Sequence, residues 1–123
     1  MNNIPKTELI ALLFILLIGG ILMGLQWGDP VDDAYVSFVY ARNLAEGDGL
    51  TFNPGERVEG YSNFLWVIIL AAFHGLAPIP DASQALGLLL GLCNIALVYL
   101  IARRLGLGFT SLLVSALVAT DMR

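Results

Sequence analysis

Residues 9–28 read LIALLFILLIGGILMGLQWG, twenty positions without a charge. A helix needs about 20 predominantly apolar residues to cross a bilayer. Lys6 and Glu8 stand before the run, and Trp27 closes it where an interfacial aromatic belongs. A cleaved signal peptide is the competing reading, but its apolar core is only about 7–15 residues long and ends at a small-residue site. This run is longer, and Leu-Gln-Trp-Gly-Asp-Pro at its close is a poor cleavage site. The expectation is an uncleaved spanning helix over 9–28.

The rest of the chain supports a bilayer as solvent. Hydrophobic residues make up 58% of the 123 positions and charged residues 13%. A soluble domain carries about 45–50% and about 25%. Lipid tolerates apolar side chains and penalises buried charge, which selects such a composition. Residues 82–102 form a second uncharged run, of 21 positions, followed by Arg103-Arg104. Residues 105–120 form a third apolar run, a few residues short of a full span, and 105–121 is the third expected membrane segment. The single cysteine, Cys93, cannot make an internal disulfide and reads as a small apolar filler.

Between the first two runs lies a polar loop, residues 29–81, which holds eight of the ten acids. Clustered carboxylates exclude a nucleic-acid face, which needs clustered Lys and Arg. They suit a surface that meets cations or sugar hydroxyls. Gly28-Asp29-Pro30 breaks the first helix. Residues 32–46 then read as a short amphipathic helix lying in the membrane interface. Ala34, Phe38, Ala41 and Ala45 share one face, Arg42, Asn43 and Glu46 the other, with Tyr35 and Val39 between. Asp32 or Asp33 can cap its start and Gly47 suits its end. Asn53-Pro54-Gly55-Glu56 predicts a tight turn between short extended pieces at residues 50–52 and 57–58.

Residues 62–77 are apolar but short, contain His74 and end at Pro78-Ile79-Pro80. They either cross the membrane or lie along it. With Lys6 in the cytoplasm, a crossing would put Arg103-Arg104 outside, against the positive-inside rule. A surface helix over 62–77 puts them inside. That topology makes residues 29–81 one outer loop with two juxtamembrane helices.

Within the loop, Asp32-Asp33 is the first candidate for chemistry. Adjacent carboxylates repel, and a positioned carboxylate can accept a proton from a hydroxyl nucleophile; the same pair also reads as a helix cap with solvated charge. Glu59-Gly60-Tyr61-Ser62-Asn63, followed by Trp66, combines carboxylate, phenol, amide and indole as a sugar-contacting set does, or as an interfacial anchor does. Arg42 can hold a phosphate or pair with Glu46 at i,i+4. His74 has no second His or Cys at metal-site spacing, so a structural zinc site is not expected. Gly19-Gly20-x-x-x-Gly24 and Gly87-x-x-x-Gly91 offer small-residue surfaces to another helix.

Taken together, residues 32–66, DDAYVSFVYARNLAEGDGLTFNPGERVEGYSNFLW, resemble the first outer loop of GT-C class membrane glycosyltransferases. The motif is similar to that of bacterial transferases of the kind that add terminal arabinofuranose to the mycobacterial cell wall, and more distantly to that of lipid-linked mannosyl- and aminoarabinosyl-transferases. The resemblance implies an all-α membrane fold: about three transmembrane helices, with two juxtamembrane helices in a long first outer loop. It implies a multi-pass protein of the bacterial plasma membrane with residues 29–81 outside. It implies a polyprenyl-phosphate sugar as donor and a glycan, lipid or protein hydroxyl as acceptor. In that class a loop aspartate at the position of Asp32-Asp33 is the catalytic base, and the anomeric configuration inverts. Arg42, Glu59, Tyr61, Asn63 and Trp66 are the implied substrate contacts. No cofactor is implied beyond a possible divalent metal near Asp32 and Asp33, for which no further ligands stand out. Those enzymes have many more membrane helices and a second acidic outer loop, so the expectation here is the N-terminal part of such an enzyme. The alternative is a small non-enzymatic helper subunit or an inactive piece.

Overall fold

The computed structural model describes residues 4–28, 32–53, 55–56 and 58–121. Among these the chain is all-helical: α1 (Lys6–Gly24), α2 (Asp32–Glu46), α3 (Phe64–Ala72), α4 (Ile79–Arg104) and α5 (Thr110–Asp121), with no strand. The extended pieces expected at residues 50–52 and 58 are irregular loop, because no neighbouring strand offers them a ladder. The helix break at Asp29-Pro30, Pro54 of the expected turn, and Arg57 lie outside the described residues.

Two helices, α1 with 19 residues and α4 with 26, are long and apolar enough to cross a membrane. Only 11% of the apolar window in α1 and 17% of that in α4 are buried. Leu13, Phe14, Leu17 and Ile21 of α1 and Leu89, Leu97 and Ile101 of α4 are exposed. A helix at the centre of a soluble core is buried on most sides, whereas one facing lipid is apolar all round. The two helices therefore point to a membrane protein. Helix α5, 12 residues long, rises only about 18 Å, less than the hydrocarbon thickness.

The chain folds as two compact units, one of Met1–Trp27 with Gly87–Arg123 and the other of Gly28–Leu86. In the first, α1, the main part of α4 and α5 pack together. Leu12, Tyr99 and Leu112 form its core. Gly19 supplies the close approach: a Cβ there would lie 2.9 Å from the Ile95 side chain and 3.4 Å from Ala119. The Gly19-Gly20 surface thus packs within the chain, while Gly24 and Gly87 meet nothing. At one end Glu8, in the first turn of α1, accepts hydrogen bonds from Tyr99 Oη (2.9 Å) and from Arg103, in the last turn of α4. Tyr99 is fully buried and both charged side chains are mostly so. The start of α1 and the end of α4 therefore lie together, and the two helices run antiparallel.

In the second unit α2 and α3 pack side by side with the first turn of α4. Phe38, Tyr40, Ala41, Val67, Leu70 and Ile79 make the core. Helix α2 ends at Gly47, whose φ of 95° reverses the chain. Asp48 N–H then bonds the Asn43 carbonyl at 2.9 Å, and Gly47 N–H bonds that of Leu44 at 3.3 Å. The expected tight turn is present at its described residues: Glu56 N–H bonds the Asn53 carbonyl at 3.1 Å and Gly55 has φ 89°.

Three expectations from the sequence are corrected. The predicted helix over 62–77 is α3 alone, nine residues; the chain leaves it through turns at residues 73–76, with Gly75 at positive φ. Pro78-Ile79-Pro80, taken as a helix stop, instead opens α4. The Pro78 carbonyl accepts the first helical bond from Ala82, and Pro80 sits in the first turn, where its missing N–H costs nothing. The buried face of α2 also differs from the expected one: it is Ser37, Phe38, Tyr40, Ala41 and Asn43, while Ala45 is exposed. Asn43 faces inward because residues 51–52 fold over it.

Candidate functional site

Three side chains at successive i,i+3 positions of α2 build the site. Asn43 Nδ2 donates to the carbonyls of Thr51 (2.8 Å) and Phe52 (3.1 Å). Tyr40 Oη donates to the Val58 carbonyl (2.6 Å) and accepts the Gly60 N–H (3.0 Å). Ser37 Oγ lies 2.9 Å from Asn63 Nδ2, which donates to it, and 3.1 Å from Oδ1. Read in order, these contacts draw residues 51–63 back along α2, from its C-terminal end towards its start. Gly60 is necessary there, since a Cβ would lie 2.9 Å from Tyr40 Oη. Tyr61 packs edge-on against Tyr40, ring centroids 4.8 Å apart, which fixes its ring.

The returning segment closes a cavity of about 400 Å³ against the first turns of α2. Asp33, Ser37, Tyr61, Asn63 and Trp66 are among its walls. Four residues singled out in the sequence, Asp33, Tyr61, Asn63 and Trp66, are thus brought together although they span 34 positions. The others are not. Asp32 and Glu59 are exposed and line no part of this cavity. Arg42 lines a different one, with His74 and Pro78. It does not pair with Glu46, whose carboxylate instead lies 3.8 Å from His74 Nε2.

The lining groups match a polyol. The Asp33 carboxylate is an acceptor for hydroxyl donors. Asn63 spends one amide proton and one lone pair on Ser37 and keeps one of each. The Tyr61 hydroxyl is a further donor or acceptor, and Trp66 offers an aromatic face. Asp32 and Asp33 are not joined by a further metal-ligating side chain: no group of three His, Cys, Asp or Glu occurs among the described residues.

Ser37 and Tyr40 carry no role in the sequence reading, Asn43 enters it only as part of a polar face, and Gly60 only as part of the Glu59–Asn63 stretch. A legible signal existed for Tyr40: a phenol on an otherwise apolar helix stripe must find a hydrogen-bond partner when buried. No protein-family model, no curated protein and no solved structure matches this chain.

Proposed function

We propose that the chain is the part of a GT-C class membrane glycosyltransferase that carries the catalytic base. In this reading it lies in the bacterial plasma membrane, crosses it with α1, α4 and the segment containing α5, and exposes residues 29–81 on the outer face. The observation that carries the reading is the cavity in which Asp33 joins Tyr61, Asn63 and Trp66. The antiparallel α1 and α4 and the shared end of Glu8 and Arg103 support the topology.

In the reaction, Asp33 accepts the proton of an acceptor hydroxyl as that oxygen attacks the anomeric carbon of a polyprenyl-phosphate sugar. The bond from the anomeric carbon to the phosphate oxygen breaks. The lipid phosphate leaves with the electron pair, and the configuration inverts. Tyr61 and Asn63 hydrogen-bond sugar hydroxyls, and Trp66 stacks on the ring. Asp32 serves α2 instead, as a carboxylate in the helix's first turn.

The test uses membranes from cells expressing the intact gene product, supplied with a polyprenyl-phosphate sugar and a cell-envelope acceptor. Removing a general base costs about 10²–10⁴-fold in rate. Asp33→Asn is expected to lose activity on that scale, and Asp32→Asn to keep most of it. Full transfer by Asp33→Asn would sink the assignment. A second reading, a non-enzymatic helper subunit, draws on Gly24 and Gly87, whose open faces leave small-residue surface for another helix. Co-purification of a stable partner in mild detergent, with no transfer activity, would favour it.

A further inference from the structure

A second cavity, of about 390 Å³, lies beside α2 and shares Phe38 as a wall with the first. Its walls are Tyr35, Phe38 and Val39 of α2 and the stretch from His74 to Pro80. At i,i+4 from Phe38 stands Arg42, which is exposed and makes no ion pair or side-chain hydrogen bond among the described residues. His74 adds a ring nitrogen at the same rim, 3.8 Å from the Glu46 carboxylate. An always-charged guanidinium beside apolar walls is a recognition set for an amphiphilic anion, and the planar fork matches phosphate oxygens. The position of the cavity names its source. Ile79 and Pro80, part of its wall, are the first residues of α4, one of the two helices able to cross a membrane. The mouth of such a helix lies at headgroup depth.

We infer that this cavity binds the phosphate of an anionic membrane phospholipid through Arg42, assisted by His74, with the first carbons of the acyl chains against Tyr35, Phe38 and Ile79. The site is separate from the Asp33 cavity and does not depend on the transferase reading.

The test is native mass spectrometry of the full chain in non-ionic detergent, offered phosphatidic acid or diacylglycerol, lipids that differ by the phosphate alone. Phosphatidic acid is retained and diacylglycerol is not. Arg42→Gln weakens retention by about tenfold, the scale of one lost charge-assisted hydrogen bond. Arg104→Gln removes the same charge from the far end of α4 and leaves retention unchanged. Arg42→Lys keeps the charge without the fork, falls between wild type and Arg42→Gln, and serves as second variant should Arg42→Gln fail to melt as wild type does. Equal retention of diacylglycerol overturns the proposal. So does wild-type retention by Arg42→Gln, or an equal loss in Arg104→Gln. Displacement of the lipid by millimolar inorganic phosphate would reassign the site to the free anion.

Discussion

Tyr40 is the residue on which the loop's shape turns. Its hydroxyl is both donor, to Val58, and acceptor, from Gly60, and its ring is buried between Phe52 and Tyr61. Tyr40→Phe keeps the ring and leaves a backbone donor and acceptor without their partner. A group left so costs about 1–3 kcal/mol. Gly60→Ala forces a methyl to within 2.9 Å of the same oxygen and costs about 1–3 kcal/mol by overpacking. The two effects share one contact, so in the double variant they are expected to add to less than their sum. Thermal unfolding of the four proteins in detergent measures this. Full additivity would mean that Gly60 and Tyr40 do not act through each other. At this scale the sequence made Asp33, Tyr61, Asn63 and Trp66 legible, because their chemistry is unusual beside a membrane helix. Asn43 was misjudged for a physical reason: a helical wheel assigns polar residues to solvent, and nothing local reveals that Thr51 and Phe52 return to meet its amide.

Among elements, α1 and α4 are joined by a charge. Arg103→Gln leaves Glu8, whose side chain is 14% exposed, with the Tyr99 hydroxyl and no described cation. Breaking a largely buried pair from one side costs about 3–5 kcal/mol, whereas replacing both partners costs much less. We expect Arg103→Gln to lower the unfolding temperature clearly and Glu8→Gln/Arg103→Gln to recover part of the loss. A double variant that melts below both single variants would refute the pairing as the cause. The helices themselves were legible because apolar runs, acidic first turns and a terminal glycine are local signals. The limits of residues 62–77 were not. Apolarity alone cannot tell helix from the turns at 73–76, and a proline pair reads equally as the end of one helix and the beginning of the next.

For the whole molecule, the proposed topology draws on lengths and ends. Glu8 and Arg103 share one end of the helical unit, so the chain returns along α4 to the side from which α1 set out. Between them, α3 has nine residues and rises about 13 Å, less than half the roughly 30 Å of hydrocarbon it would have to cross. In the proposed topology Lys6 and Arg103-Arg104 fall on one side, in keeping with the bias of Lys and Arg towards the cytoplasm. Charge counting in the sequence favours the same arrangement without using any contact between helices. Single cysteines at Asn53 and Gly106, each in a Cys93→Ala background, separate the possibilities in intact cells. Replacing Cys93 leaves the introduced thiol as the one cysteine in the chain. A membrane-impermeant maleimide is expected to label Asn53→Cys fully and Gly106→Cys only after the cells are opened. Labelling of Gly106→Cys from outside would require a further crossing between α1 and α4, and residues 62–77 would then have to supply it with a helix longer than α3.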